Sequence, residues 1–285
     1  MHTSHFLQRV LNKFHLLHTI NSVAAIRINK KKFIIPLLGD QGYDNLDLSE
    51  PWMTELLLVL RPHLKGGFVD VGVNLGQTLL KVQAVVEDLN YVGFEPNPTC
   101  VNYVQELIRL NAFKNTVLLP VAIGGKTEML RLNFFTEDKS DSSATLIENF
   151  KNNAGNERFI FVPVFECSQV LSFLPRRPQV VLKIDVEGAE MEVLMGLTEW
   201  IKEFHPLILL EILPVYTEDN RSRLERQDQI EVLLQSWHYN IARIRKKGRV
   251  GLEWIDRIGI HSNIEDCDYL LCHDSLNEEI SSCFN

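Results

Sequence analysis

The stretch VLKIDVEGAE, residues 181–190, puts ionisable groups where a sheet core is expected. Val181, Leu182, Ile184 and Val186 read as a strand interior, yet Lys183, Asp185, Glu187 and Glu190 interrupt them. Side chains alternate along a strand, so Lys183 and Asp185 share one face. A lysine in a central strand needs a partner, because an unpaired buried charge is strongly destabilising. Asp185 itself, Asp70 and Glu211 are the candidates. Asp185 falls at the carboxyl end of its strand, the end at which parallel sheets bind ligands. Asp185 first, then Glu187 or Glu211, are carboxylates able to take a proton from a reacting hydroxyl. Structural duties compete with that role: Asp185 as N-cap of the next helix, Glu187 as a first-turn acid. Glu190 reads as solvated. His205, ahead of Pro206 at the opposite end of the next strand, reads as structural.

A second cluster is DVGVNLGQT, residues 70–78, between a strand and a helix. Gly72 and Gly76 permit a sharp turn and a close approach by a ligand. The helix start that follows offers free N–H groups. Asn74 stands where a dinucleotide fingerprint would have its middle glycine, so the spacing is GxxxG and not GxGxxG. Glu95 closes the next strand, placed to accept hydrogen bonds from both hydroxyls of a ribose. Loop and acid together imply an adenosine-containing ligand. The missing pyrophosphate signature favours S-adenosylmethionine over a nicotinamide dinucleotide.

These groups need a scaffold. From residue 67 short apolar runs alternate with helical patterns: strands 67–72, 91–95, 116–124, 129–135, 158–165, 179–185 and 206–213, and helices 76–88, 98–111, 187–201 and around 224–236. Residues 129–135 are expected to pair with 116–124 across GGKT, and further strands lie near 239–245 and 267–272. Such alternation predicts a mostly parallel sheet with helices on both faces. Ahead of it, residues 6–20 read as an amphipathic helix, AAIRINKKKFIIPLL as a hairpin around 29–32, and SEPWMTELLLVLRPHL as a helix capped by Ser49. Residues 1–62 are taken as an N-terminal extension and 63–285 as the ligand-binding domain.

Composition narrows the function classes. The net charge of −8 argues against a nucleic-acid partner. Residues 1–39 nevertheless hold six Lys/Arg and four His with no acid, so the first helix is a candidate for peripheral contact with a membrane or glycolipid. No apolar run reaches the length of a membrane span. Five scattered cysteines without a CxxC pair suit a reducing, cytoplasmic setting. No His/Asp/Glu grouping has metal-ligand spacing, so no metal is expected. Oligomeric state is left open.

FVDVGVNLGQT, VGFEPNP and KIDVEGAEMEVLMG, in this order, resemble the FkbM family of S-adenosylmethionine-dependent methyltransferases over roughly residues 66–215. PVAIGGKTEMLRL and the serine pair in SDSSATL are also similar to family segments. At Cys167-Ser168-Gln169 the chain departs from the family's usual Thr-Leu-Asp. The resemblance implies a class I, Rossmann-like α/β fold with seven strands and an antiparallel last strand, here CDYLLC. It implies O-methylation of a glycan, glycolipid or similar small hydroxylated acceptor. It implies that Asp70, Gly72, Asn74, Gly76 and Glu95 hold the cofactor, with Ala122 and Ile123 beside adenine. Asp185 would lie near the methionine end or the acceptor, alongside Lys183 and Glu187, with Ser143 closing over the bound groups. A nicotinamide-dependent oxidoreductase and a non-catalytic cofactor-binding scaffold are the rival readings.

Overall fold

The computed structural model describes residues 21–47, 49–136, 140–147 and 158–284. The amphipathic segment 6–20 lies outside the described residues. The chain opens with a hairpin, β1 (Asn21–Ile28) and β2 (Lys31–Leu38), paired antiparallel. Its two-residue turn places Asn29 and Lys30 at positive φ, the geometry that lets a tight hairpin follow the strand twist. Helix α1 (Pro51–Val59) follows. Its N-cap is Glu50 in a left-handed conformation, not Ser49, and no side chain caps it; Pro51 supplies the first-turn preference.

The alternating region builds β3 (Gly67–Val71), α2 (Gln77–Val85), β4 (Tyr91–Phe94), α3 (Pro98–Asn111) and β5 (Thr116–Leu119). Then come β6 (Ala122–Ile123), β7 (Glu128–Phe134), β8 (Arg158–Phe165), α4 (Cys167–Val170) and β9 (Val180–Ile184). The chain continues through α5 (Glu190–Gly196), α6 (Thr198–Phe204), β10 (Leu207–Glu211), α7 (Arg221–Ser236), β11 (Tyr239–Arg245) and β12 (Gly251–Ile255). It ends with β13 (Asp268–His273) and α8 (Asn277–Cys283).

The main sheet has the order β12-β11-β13-β10-β9-β3-β4-β5. Strands β5, β4, β3, β9 and β10 are parallel neighbours, and β13 runs antiparallel between β10 and β11. This is the arrangement expected from the sequence, with β12 added as an eighth, antiparallel edge strand. Alternation along the strands feeds two cores. Phe68, Val181, Leu207 and Leu209 pack with the hairpin, α1, α2, α3 and α8. Val69, Leu182, Ile208 and Leu210 pack with α5, α6 and α7 on the other face.

Three expectations need correction. Residues 116–124 are not one strand. Pro120 lacks the N–H a ladder needs, so β5 stays in the main sheet while β6 joins β8 in a separate three-stranded sheet. Strand β7 pairs antiparallel with β8, not with 116–124. The helix over 187–201 is two helices, α5 and α6, starting only at Glu190. Glu187 and Gly188 both have positive φ and cannot enter a right-handed helix. The break after Gly196 lets α5 press on the second sheet: a Cβ there would lie 2.5 Å from the Gly124 carbonyl oxygen.

Candidate active site

A cavity of about 610 Å³ opens beyond the carboxyl ends of β3, β4, β9 and β10. Its floor begins with the loop after β3. Gly72 has φ +93°, and a Cβ on it would lie 1.8 Å from the Asp185 carbonyl oxygen, so only glycine lets this loop cross β9. Gly76, at φ +79°, caps α2 and faces Leu107; it supports the loop from behind and does not line the cavity. Asn45, ahead of α1, donates to the Leu75 carbonyl at 2.8 Å and ties the loop to the hairpin side.

Glu95 is 6% exposed at the end of β4. One carboxylate oxygen accepts the Asn74 N–H at 2.7 Å and the other accepts the Asn97 N–H at 2.8 Å. Burial pushes the carboxyl up to about 7, against the pull of these two bonds. Both oxygens are thus fixed by backbone while the group lines the cavity. Asn97 also caps α3 by accepting from Thr99 N, an N-cap that Asn97-Pro98 in the sequence already signals. Ala122 and Ile123 also line the cavity.

The other end is built by side chains. Lys183 Nζ lies 2.8 Å from Asp185 Oδ2 and 3.8 Å from Asp70 Oδ1. Of its three candidate partners, the two aspartates take the ion pair. Asp70 is fully buried beneath the cavity and accepts from Tyr91 Oη at 2.5 Å; burial raises it to about 6. Burial works to raise Asp185 as well, but Lys183 outweighs it and holds the carboxyl below its usual range. Glu211 follows Leu210, the register partner of Ile184, and so stands beside Asp185 at the ends of neighbouring parallel strands. That neighbouring charge first, and burial second, push Glu211 up to about 10. Asp185 is therefore the ionised member of the pair and Glu211 the protonated one. Asp185 caps no helix, since α5 begins at Glu190.

Glu187 lines the cavity with its backbone at φ +53°. Three side chains hold that turn. Thr145 Oγ1 donates to the Glu187 carbonyl at 2.6 Å, Gly188 N donates to Glu190 Oε1 at 2.7 Å, and Arg226 donates to the Gly188 carbonyl at 2.8 Å. Glu190 is not solvated: it is 6% exposed and raised by burial to about 7. Ser143 donates from both its N–H and its hydroxyl to Asp141 Oδ1. The cavity wall there is formed by Ser140, Asp141 and Ser142. Sequence reasoning missed Asp141, although Asp-x-Ser is the signal of a side-chain-capped turn. His205 sits at the far end of β10, its ring stacked 3.8 Å from His273. Trp52 is buried with the Lys246 ammonium 4.8 Å above its ring. Three basic residues at the end of β11 and just beyond it are turned to local acids: Arg245 to Glu253, Lys246 to Asp268 and Lys247 to Glu265.

An open parallel sheet with one antiparallel strand inserted near its end, a glycine turn after its first central strand and an acid closing the next define a Rossmann-like methyltransferase fold. The family model described as the Methyltransferase FkbM domain matches residues 70–241, more than half of the chain, and the protein belongs to that family of methyltransferases. The chain is 28% identical to "Methyltransferase sdnD" of Sordaria araneosa over 203 residues, covering 62% of this chain and 74% of that one. It is 27% identical to "Methyltransferase 1" of Beauveria bassiana (strain ARSEF 2860) over 144 residues, 46% of this chain and 58% of the relative. Among solved structures, methyltransferase FkbM from Methylobacillus flagellatus KT is similar at 16% identity and a TM-score of 0.45. That match covers 73% of this chain and 43% of the other, so the chain spans less than half the length of that protein.

Proposed function

We propose that the protein is an S-adenosylmethionine-dependent O-methyltransferase acting on a hydroxyl of a small acceptor such as a glycan or glycolipid. The observation that carries this reading is Glu95. Its two oxygens are pinned by the Asn74 and Asn97 N–H groups, which leaves their remaining lone pairs for the two hydroxyls of a ribose. The residues fit the donor: a backbone cradle at 72–75, a carboxylate for the ribose, apolar Ala122 and Ile123 for a base, and a cavity of suitable size. Among the described residues no loop follows the pyrophosphate spacing, which supports the methyl donor over a dinucleotide. When bound, S-adenosylmethionine supplies a methyl group already activated by a sulfonium.

The chain's own task is orientation and proton removal. Asp185, ionised and a third exposed toward the cavity, takes the proton of the acceptor hydroxyl on the oxygen that Lys183 leaves open. Lys183 keeps Asp185 ionised and fixes its direction. Glu187, held in its turn, faces the acceptor space. No described helix is long and apolar enough to cross a membrane. The scattered free cysteines support a cytoplasmic setting as part of this proposal, with the basic segment 6–20 proposed as a contact with a membrane or glycolipid.

Calorimetric titration with S-adenosylmethionine, S-adenosylhomocysteine and NAD tests the donor. The expected result is binding of the first two and none of the third. Binding of NAD alone overturns the reading in favour of an oxidoreductase.

A further inference from the structure

The charge cluster behind Asp185 does not balance. Asp185 follows β9, Glu211 ends β10, and Asp268 begins β13, where it is the register partner of Glu211. Asp70 adds a fourth carboxylate from β3. Against these four stand two ammonium groups: Lys183, bridging Asp70 and Asp185, and Lys246, bonded to Asp268. Lys81 on α2 is taken by Glu50 at 2.8 Å. Asp70 is buried and the other three are partly buried, and carboxylates crowded together in excess of their counter-charges favour holding a proton or gaining a cation. Glu211 is the member touched directly by neither ammonium, and it lines both the main cavity and the small space shared with Trp52, Asp185 and Asp268.

We propose that Glu211 is a positioning residue that holds a proton against Asp185 and gives it up when a cation is seated at this end of the cavity. The inference rests on the donor reading, because the sulfonium of the methyl donor is the cation in question. The protonated Glu211 donates to Asp185 and steadies that carboxylate before the donor arrives; once the proton has left, Lys183 alone holds Asp185. The groups facing Glu211 are Asp185 and Lys183 from β9, Asp268 from β13, Cys267 just before it and Lys246 after β11. Only the two lysines among them are positive. A further positive charge lowers the proton affinity of Glu211, which the neighbouring Asp185 charge has raised above the usual carboxylate range. The released proton goes to solvent. Charge on the donor is then sensed chemically: the neutral sulfur of S-adenosylhomocysteine leaves the proton in place.

The full-length chain is titrated at about pH 8.5, between the ordinary and the raised carboxyl values, with each ligand in phosphate and in Tris. The difference in heat between the two buffers counts protons released. Wild-type protein is expected to release more protons with S-adenosylmethionine than with S-adenosylhomocysteine. Glu211→Gln, which keeps a donor toward Asp185, is expected to bind both ligands and to lose the excess. Equal release for the two ligands in the wild type overturns the proposal, and this arm needs no variant. Persistence of the excess in Glu211→Gln overturns it as well, by assigning the proton elsewhere. If neither ligand binds, the donor reading falls and takes this inference with it.

Discussion

The two ends of the cavity recognise charge by different means. At the β4 end, Glu95 is held by main-chain N–H groups that exist because the loop at 72–76 and the cap of α3 have fixed backbones. At the β9–β10 end, Asp185 is held by side chains, Lys183 and Glu211, whose protons are negotiable. Backbone donors cannot titrate, so the direction of the Glu95 oxygens toward a neutral diol is fixed, although the carboxyl they hold is itself raised to about 7 by burial. The second end can change its charge during a catalytic cycle. A binding site and a reaction site thus share one cavity with different physics.

The sharpest way to break this comparison is Asp185→Asn. The amide is isosteric but cannot take a proton, so turnover should fall by roughly 10²–10⁴, the usual worth of a general base. Affinity for S-adenosylmethionine should change by far less, because Glu95 and the glycine loop are untouched. Single-turnover methylation beside calorimetry separates the two. Retained turnover would remove Asp185 from the chemistry and leave Glu187 as the candidate.

Glu95→Ala attacks the template end and should do the reverse. Two hydrogen bonds to a carboxylate are lost, each worth roughly 1.5–3 kcal/mol, so donor affinity should drop by about 100-fold or more. Turnover at saturating donor should change little. An equal loss in kcat would show that the two ends are not separable.

The comparison also bears on what the sequence could reveal. The template end left marks in residue type because backbone geometry selects them: glycines at 72 and 76 and an acid closing β4. The need of Lys183 for a partner was legible too, and alternation put Asp185 on its face, but the choice among Asp185, Asp70 and Glu211 had to await the register of β3 beside β9. Protonation was not, because it depends on how many carboxylates gather from β3, β9, β10 and β13, which are distant in sequence. Glu190 shows the same limit. Its burial follows from the turn at Glu187 and Gly188, which a helical pattern over 187–201 conceals. Pairing of β7 with β8 is a long-range event that local periodicity does not encode, whereas Pro120 was a readable sign that the strand over 116–124 must break.

Stability should carry the signature of the buried acids. Glu95 and Glu190 are raised from 4.5 to about 7, and Asp70 from 3.8 to about 6. Between the unfolded and folded values the native state binds protons that the unfolded chain does not. The stabilisation is therefore complete below the unfolded values and is lost as pH rises through about 6–7. Thermal unfolding of the ligand-free protein should show a falling midpoint from about pH 5 to pH 8. Glu190→Gln should remove up to roughly 3 kcal/mol of that pH-dependent change, the equivalent of its own shift. The depressed carboxyls, Asp141 and Asp185, lose their stabilisation only below the ordinary carboxylate range and add no slope here, so a midpoint that stays level over this window would mean that the three buried acids are not raised.

The smallest effect expected is Thr145→Val, and it tests how far the two ends are joined. Thr145 reaches from the segment after Asp141 to the Glu187 carbonyl, and Ile147 N returns a bond to its hydroxyl. Valine keeps the shape and deletes the donor, so stability should fall by about 1 kcal/mol, the net worth of one hydrogen bond. The Glu187 turn would lose one of its three ties while Glu190 and Arg226 remain. Donor affinity should stay unchanged, because no Glu95 contact depends on residue 145. Turnover should fall a few-fold, through looser placement of the groups facing the acceptor. A variant that weakens donor binding by the same factor would show that the wall at 140–147 serves the template end, and that the division of the cavity lies further from β4 than Asp185.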